Sequence, residues 1–138
     1  MGDEEGTIRL LIADDHALVR SGLRSMLERE SGFEIIGEAE DGREAVELCR
    51  SLRPDLVLMD MRMPRMDGLE ATRTIKQESP EIGVLMVTMH ENPNYMLEAI
   101  KAGAAGYVLK DAPLDELISA ARRVVDGEPS NHQASSLS

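Results

Sequence analysis

Short apolar runs alternate along the chain with segments of helical spacing. Ile8–Ala13 (IRLLIA), Phe33–Ala39 (FEIIGEA), Leu56–Met59 (LVLM), Val84–Thr88 (VLMVT) and Tyr107–Leu109 (YVL) are aliphatic or β-branched and too short for helices. Such runs, apolar on both faces, predict strands buried inside a parallel sheet. Between them, Val19, Leu23, Met26 and Leu27 fall on one face of a helix, as do Leu114, Leu117, Ile118, Ala121 and Val125 near the end. The punctuation agrees. Asp41 with Glu44 and Asp67 with Glu70 have capping-box spacing, and Asn92-Pro93 sets a capping residue before a proline at the first helical position. Gly32, Gly103 and Gly127 stand where helices should stop. Five strands alternating with five helices through short connections predict an α/β, doubly wound fold: a parallel sheet with helices on both faces and right-handed crossovers. We place this single domain at residues 8–127. Residues 1–7 read as a disordered N-terminus. Residues 128–138, polar and without apolar period, read as a linker or disordered tail.

Composition narrows the core and the partners. A chain of 138 residues with 42% hydrophobic and only 2% aromatic content must build its core from Leu, Ile, Val, Ala and its nine Met. The formal net charge of -11 argues against gripping DNA or an anionic membrane by bulk electrostatics, and it suits a local carboxylate cluster that holds a cation. One cysteine, Cys49, allows neither an intrachain disulfide nor a cysteine zinc site, and we read it as a small buried hydrophobe on a helix. With no signal-peptide pattern behind the acidic MGDEEG start and no apolar run of spanning length, a cytoplasmic location is expected.

In an open parallel sheet, ligands bind beyond the carboxyl ends of the strands, near the point where strand order reverses. Asp14, Asp15 and His16 follow the first strand, Asp60 the third and Lys110 the fifth, and Thr88 ends the fourth. A strand order of 2-1-3-4-5 would bring Asp14, Asp15, Asp60, Thr88 and Lys110 to one edge. Each alone is weak, since Asp15 could simply cap the helix that begins near His16. Together they form an anionic pocket. Carboxylates at about 4 Å repel by about 4 kcal/mol per pair at an effective dielectric near 20, more than one lysine offsets. A hard divalent cation with oxygen ligands, Mg²⁺ above all, is the natural remedy. Beside it a carboxylate can attack phosphorus, while an ammonium and a hydroxyl take phosphoryl oxygens. Asp60, alone at the end of the apolar run in LVLMDMRMPRMDG, is the expected nucleophile. The turn after it frees a backbone carbonyl for metal.

The Asp14-Asp15 pair, LVLMDMRMPRMDG, VLMVT and GYVLKDA resemble the receiver domain of bacterial two-component response regulators, from about Ile8 to Gly127. The string AIKAGAAGYVLKDAPLDELISAARRVVDGE is similar to the subfamily of transcriptional regulators with a LuxR/NarL-type helix-turn-helix. The resemblance implies a flavodoxin-like (βα)5 sandwich whose five-stranded sheet has the order 2-1-3-4-5. It implies that Asp60 is the phosphoacceptor, receiving its phosphoryl group from a histidine kinase. Asp15, Asp60 and the Arg62 carbonyl would ligate Mg²⁺, with Asp14 acting mainly through water. Lys110 would contact the phosphoryl group, Thr88 would reorient to it, and Tyr107 would be an aromatic rotamer switch. The implied protein phosphorylates and dephosphorylates itself and is not a turnover enzyme.

Three features depart from the pattern. Met89 stands where a small residue is usual and is expected to crowd the phosphoryl site. Asp111 follows Lys110 where many receivers have proline. No helix-turn-helix follows Gly127, so DNA contact is expected only through a C-terminal domain absent from this chain. Homodimers through the first and last helices are a further expectation. Two rivals are a receiver-like interaction module that works without phosphate, kept open by Met89, and a haloacid-dehalogenase-like phosphatase. The second rival is weakened because Arg62, not Asp, lies two residues past Asp60. His16 and the Arg62 and Arg65 side chains are expected to be solvated, and Met61, Met63 and Met66 to pack the loop.

Overall fold

A computed structural model describes residues 6–89 and 92–127. The expectations for residues 1–5 and for the tail at 128–138 lie outside them. Within them the chain runs β1 (Ile8–Ala13), α1 (Ala17–Glu28), β2 (Phe33–Ala39), α2 (Gly42–Leu52), β3 (Leu56–Met59), α3 (Gly68–Glu78), β4 (Gly83–Thr88), α4 (Pro93–Ala102), β5 (Gly106–Leu109) and α5 (Leu114–Val125). All pairings are parallel, as the residue pattern predicts, and the order is β2-β1-β3-β4-β5, as the resemblance implies. The chain reverses direction across the sheet between β1 and β3, so both strands carry their carboxyl ends into the same crevice.

The central strands are apolar but for Arg9 and Thr88 at their ends, because both faces are covered. On one face Leu11, Val57, Val84 and Met86 meet Ala45, Val46 and Cys49 of α2, Ala71 and Ile75 of α3 and Ala99 of α4. On the other, Leu10, Ile12, Leu58, Leu85 and Val87 meet Leu23 and Leu27 of α1 and Leu117, Ala120, Ala121 and Val124 of α5. Cys49 is buried as expected, and burial pushes its thiol up to about 12, which leaves it inert. The stripes of α1 and α5 are only partly spent on the sheet, with Met26 and Val125 left exposed.

Two strands begin one residue earlier than the β-branched runs suggest. β4 starts at Gly83, where a Cβ would come within 2.6 Å of Val124 Cγ1, so glycine is there to let α5 approach. The amino edge of the sheet is knit by Arg9, whose guanidinium donates to the carbonyls of Leu52 and Arg53 and whose N–H donates to Asp55 Oδ2. The caps form as read. Asp41 accepts from Glu44 N–H, Asp67 from Glu70 N–H and Asn92 from Asn94 N–H. At α1 the cap is His16 rather than Asp15, and Asp14 Oδ1 takes the His16 N–H at 2.8 Å.

Candidate functional site

The carboxyl edge gathers its groups by strand pairing. The Asp14 N–H donates to the Ala39 carbonyl at 3.0 Å and the Asp60 N–H to the Ala13 carbonyl at 2.9 Å, which locks the backbone of both acids to neighbouring strands. The Lys110 N–H donates to the Thr88 carbonyl at 2.7 Å and brings the fifth strand's lysine alongside. Oxygen atoms of Asp14, Asp15 and Asp60 and a ring nitrogen of His16 all lie within 4.8 Å of one another. The sequence-read trio therefore converges. Thr88 is buried at the end of β4, on the same edge.

Burial and like charge govern the electrostatics. Asp14 and Asp60 are buried, whereas Asp15 faces solvent. Lys110 Nζ lies 2.6 Å from Asp14 Oδ2 and 3.5 Å from Asp60 Oδ1, with its side chain only 8% exposed. Its closer partner is Asp14, so Asp60 is the less compensated acid. Desolvation, then the Asp14 charge, push the Asp60 carboxyl up to about 6, with Lys110 pulling the other way. A proton held so high in the usual range marks a pocket short of positive charge. The cluster offers three carboxylates, one exposed imidazole and no thiolate, and its oxygen donors fit a hard divalent cation such as Mg²⁺.

Three neighbours expected to be solvated are exposed, and each also has a polar partner. His16 is two-thirds exposed, but it is not merely solvated, since Nδ1 sits 3.1 Å from Asp15 Oδ1 and 3.3 Å from Asp14 Oδ1. Arg62 reaches across to α4, where Nη1 donates to Tyr95 Oη at 3.0 Å. Arg65 pairs with Asp41, Nε to Oδ2 at 2.6 Å. Met61 and Met63 are buried as loop packing, in line with the sequence. Met89, expected to crowd the phosphoryl site, is 69% exposed. Tyr107 is half-buried on β5 and rests against the face covered by α2, α3 and α4.

Comparison with known proteins places this geometry. The family model described as the response regulator receiver domain matches residues 10–122. The transcriptional regulatory protein DegU of Brevibacillus brevis is 42% identical over 123 residues, 89% of this chain and 52% of that protein. Response regulator UvrY of Escherichia coli K12 is 44% identical over 121 residues, 88% of this chain and 56% of that protein. Among solved structures, a two-component response regulator of the LuxR family from Aurantimonas sp. SI85-9A1 superposes with a TM-score of 0.85 at 40% identity, covering 89% of this chain and 88% of that one. The chain spans about half the length of the curated relatives it matches.

Proposed function

The chain belongs to the response regulator receiver domain family, and from that premise we propose that it is a Mg²⁺-dependent phosphoacceptor switch, phosphorylated on Asp60 by a histidine kinase. The observation that carries this reading is the convergence of Asp14, Asp15 and Asp60 on one spot at the carboxyl edge of the sheet, with Lys110 beside them. Asp14, Asp15, Asp60 and the carbonyl of Arg62 would hold the cation. The Met61 carbonyl already accepts the Gly68 N–H at 2.8 Å, so the next one along the loop is the one offered. Bound there, Mg²⁺ would neutralise the transferring oxygens and relieve the carboxylate repulsion.

The residues divide the work. An Asp60 Oδ attacks phosphorus in line, the O–P bond forms as the donor's P–N bond breaks, and the leaving imidazole nitrogen keeps its electron pair and takes a proton. Lys110 turns from Asp14 toward the new phosphoryl oxygens, and the Thr88 hydroxyl follows. Tyr107, half-buried on β5, is the side chain we assign to relay the change to the face formed with α4 and α5. Phosphorylation then shifts a two-state equilibrium and alters the surface presented to a partner. The full-length protein would regulate transcription through a DNA-binding domain beyond this chain, and a homodimer would be its signalling form. The chain acts in the cytoplasm; no helix among the described residues is long and apolar enough to cross a membrane.

Incubation with a small phosphodonor and Mg²⁺, read by intact mass, tests the proposal. One phosphoryl group should be gained, and the gain should vanish with EDTA. Failure to label while a control receiver labels would favour a phosphate-independent module. Lys110→Ala should slow labelling about 100-fold at saturating Mg²⁺, the usual cost of losing one donor aimed at developing charge. Quench-flow or stopped assays of the phosphorylated fraction measure it, and a rate within threefold of the parent would remove Lys110 from its role.

A further inference from the structure

The loop from Asp60 to Asp67 carries both the acceptor carboxylate and the Arg62 carbonyl, and it is held at two points. At its far end the Gly68 N–H ties to the Met61 carbonyl. The second point lies across a gap in sequence. The Gly42 N–H donates to the Met66 carbonyl at 2.8 Å, and a Cβ on Gly42 would stand 2.2 Å from that oxygen, so the start of α2 is pressed onto the loop. Between the two points the Met66 N–H reaches the Pro64 carbonyl at 2.7 Å, closing a three-residue turn on Arg65. Arg65 has φ +65, a left-handed value that a non-glycine residue holds only under constraint.

The constraint is visible. Arg65 Nε meets Asp41 Oδ2 at 2.6 Å, while the other oxygen of Asp41 caps α2 by accepting Glu44 N–H at 2.8 Å. Asp41 is buried, and its carboxyl lies below the ordinary range because of the Glu44 N–H bond, against the opposing effect of burial and with help from Arg65. A helix cap alone needs neither the charge nor the arginine, since asparagine caps as well as aspartate. We propose that Asp41 and Arg65 are positioning residues for the cation site: their ion pair fixes the strained turn that sets where the Arg62 carbonyl stands relative to Asp60. This rests on the reading of the acidic pocket as a Mg²⁺ site.

The test is Mg²⁺ affinity by isothermal titration calorimetry on the full chain, beside thermal unfolding in EDTA. Asp41→Asn keeps the cap and removes the charge; Arg65→Ala removes the partner; Arg65→Lys restores a cation. The first two should weaken Mg²⁺ about tenfold, the lower end of what outer partners of metal ligands cost, with melting in EDTA within a few degrees of the parent. Arg65→Lys should recover part of the loss. Labelling by a small phosphodonor should need more Mg²⁺ for half-maximal rate yet reach the parent rate at saturation. Arg53→Ala is the control, because Arg53 also has positive φ (49) and an ion pair, to Glu81 at 3.0 Å, but stands at the amino edge; it should leave affinity unchanged. If the parent binds Mg²⁺ and Asp41→Asn, Arg65→Ala and Arg53→Ala all match it, the clamp is overturned and the site reading survives. If the parent itself fails to bind, the site reading falls and the clamp with it. Should Arg65→Ala not fold, Asp41→Asn and Arg65→Lys decide between these outcomes.

Discussion

Asp60→Asn is expected to abolish covalent phosphorylation and, in EDTA at pH 7.5 (about the pH where carboxylates are fully ionised), to melt higher than the parent. The loss of labelling follows because an amide oxygen is not the nucleophile that a carboxylate is. The gain in stability follows from burial. The folded chain holds the Asp60 carboxyl at about 6 against an ordinary 3.8, so the ionised form is penalised in the fold and not in the unfolded chain. Between about pH 4 and 6 the folded state binds a proton that the unfolded state has released. Stability contributed by this group therefore falls as pH rises through that window, and the penalty is complete above it. The gap corresponds to at most about 3 kcal/mol, and partial access of water and salt reduces it to about 1–2 kcal/mol. Asparagine carries no such charge, so Asp60→Asn should gain several degrees at neutral pH, about 3–8 °C, with the difference shrinking as pH falls through about 6 and closing near about pH 4, where the unfolded chain's carboxyl is protonated as well. Added Mg²⁺ should raise the parent's melting point more than the variant's. Equal melting temperatures in EDTA at neutral pH, by calorimetry or circular dichroism, would show that Asp60 is not strained in the free protein.

Gly68→Ala carries the largest expected cost in stability. A Cβ at Gly68 would stand 2.0 Å from the Asp60 carbonyl oxygen and 3.0 Å from Met61 Cα. Both neighbours are backbone, so no side chain can swing aside. The start of α3 or the end of β3 must move, and either shift breaks the Gly68–Met61 bond that anchors the loop. The cost should be about 3–5 kcal/mol, the range of severe overpacking at a buried backbone contact. Whatever remains folded should label poorly, since Asp60 itself is displaced. Gly22→Ala is the matched control. Gly22 lies inside α1 with nothing within 4 Å of its would-be Cβ, so the same substitution should stabilise by about 0.5–1 kcal/mol through helix propensity. Urea unfolding of both variants measures the contrast. A Gly68→Ala protein as stable as the parent would mean that the close approach of β3 and α3 is not required.

What was readable in the chain follows a physical division. Strands β1, β3 and β4 announce themselves because a strand covered on both faces is apolar over nearly its whole length. Caps at Asp41, Asp67 and Asn92 are legible because they act within three residues. Asp14, Asp15, Asp60 and Lys110 could be gathered on paper because parallel pairing aligns strand ends, and only the order of strands had to be supplied. The pairings that escaped are those of arginines in the loop after β3. Arg65 to Asp41 spans 24 positions and Arg62 to Tyr95 spans 33, and neither is fixed by hydrophobic period. They arise where that loop meets the start of α2 and the first turn of α4, and an arginine in a loop looks like any solvated charge. Gly83 was missed as a strand start for a related reason, since its role is set by Val124 of α5 and not by its own preference.

The sheet's amino edge, knit by Arg9 to Asp55 and to the carbonyls of Leu52 and Arg53, shares no residue with the acidic edge. Selection can therefore act on the two ends almost independently. Lineages descended from such a chain are free to retune chemistry and partner choice in the connections at one end while drift is purged at the other, so the fold can outlast many changes of signalling role.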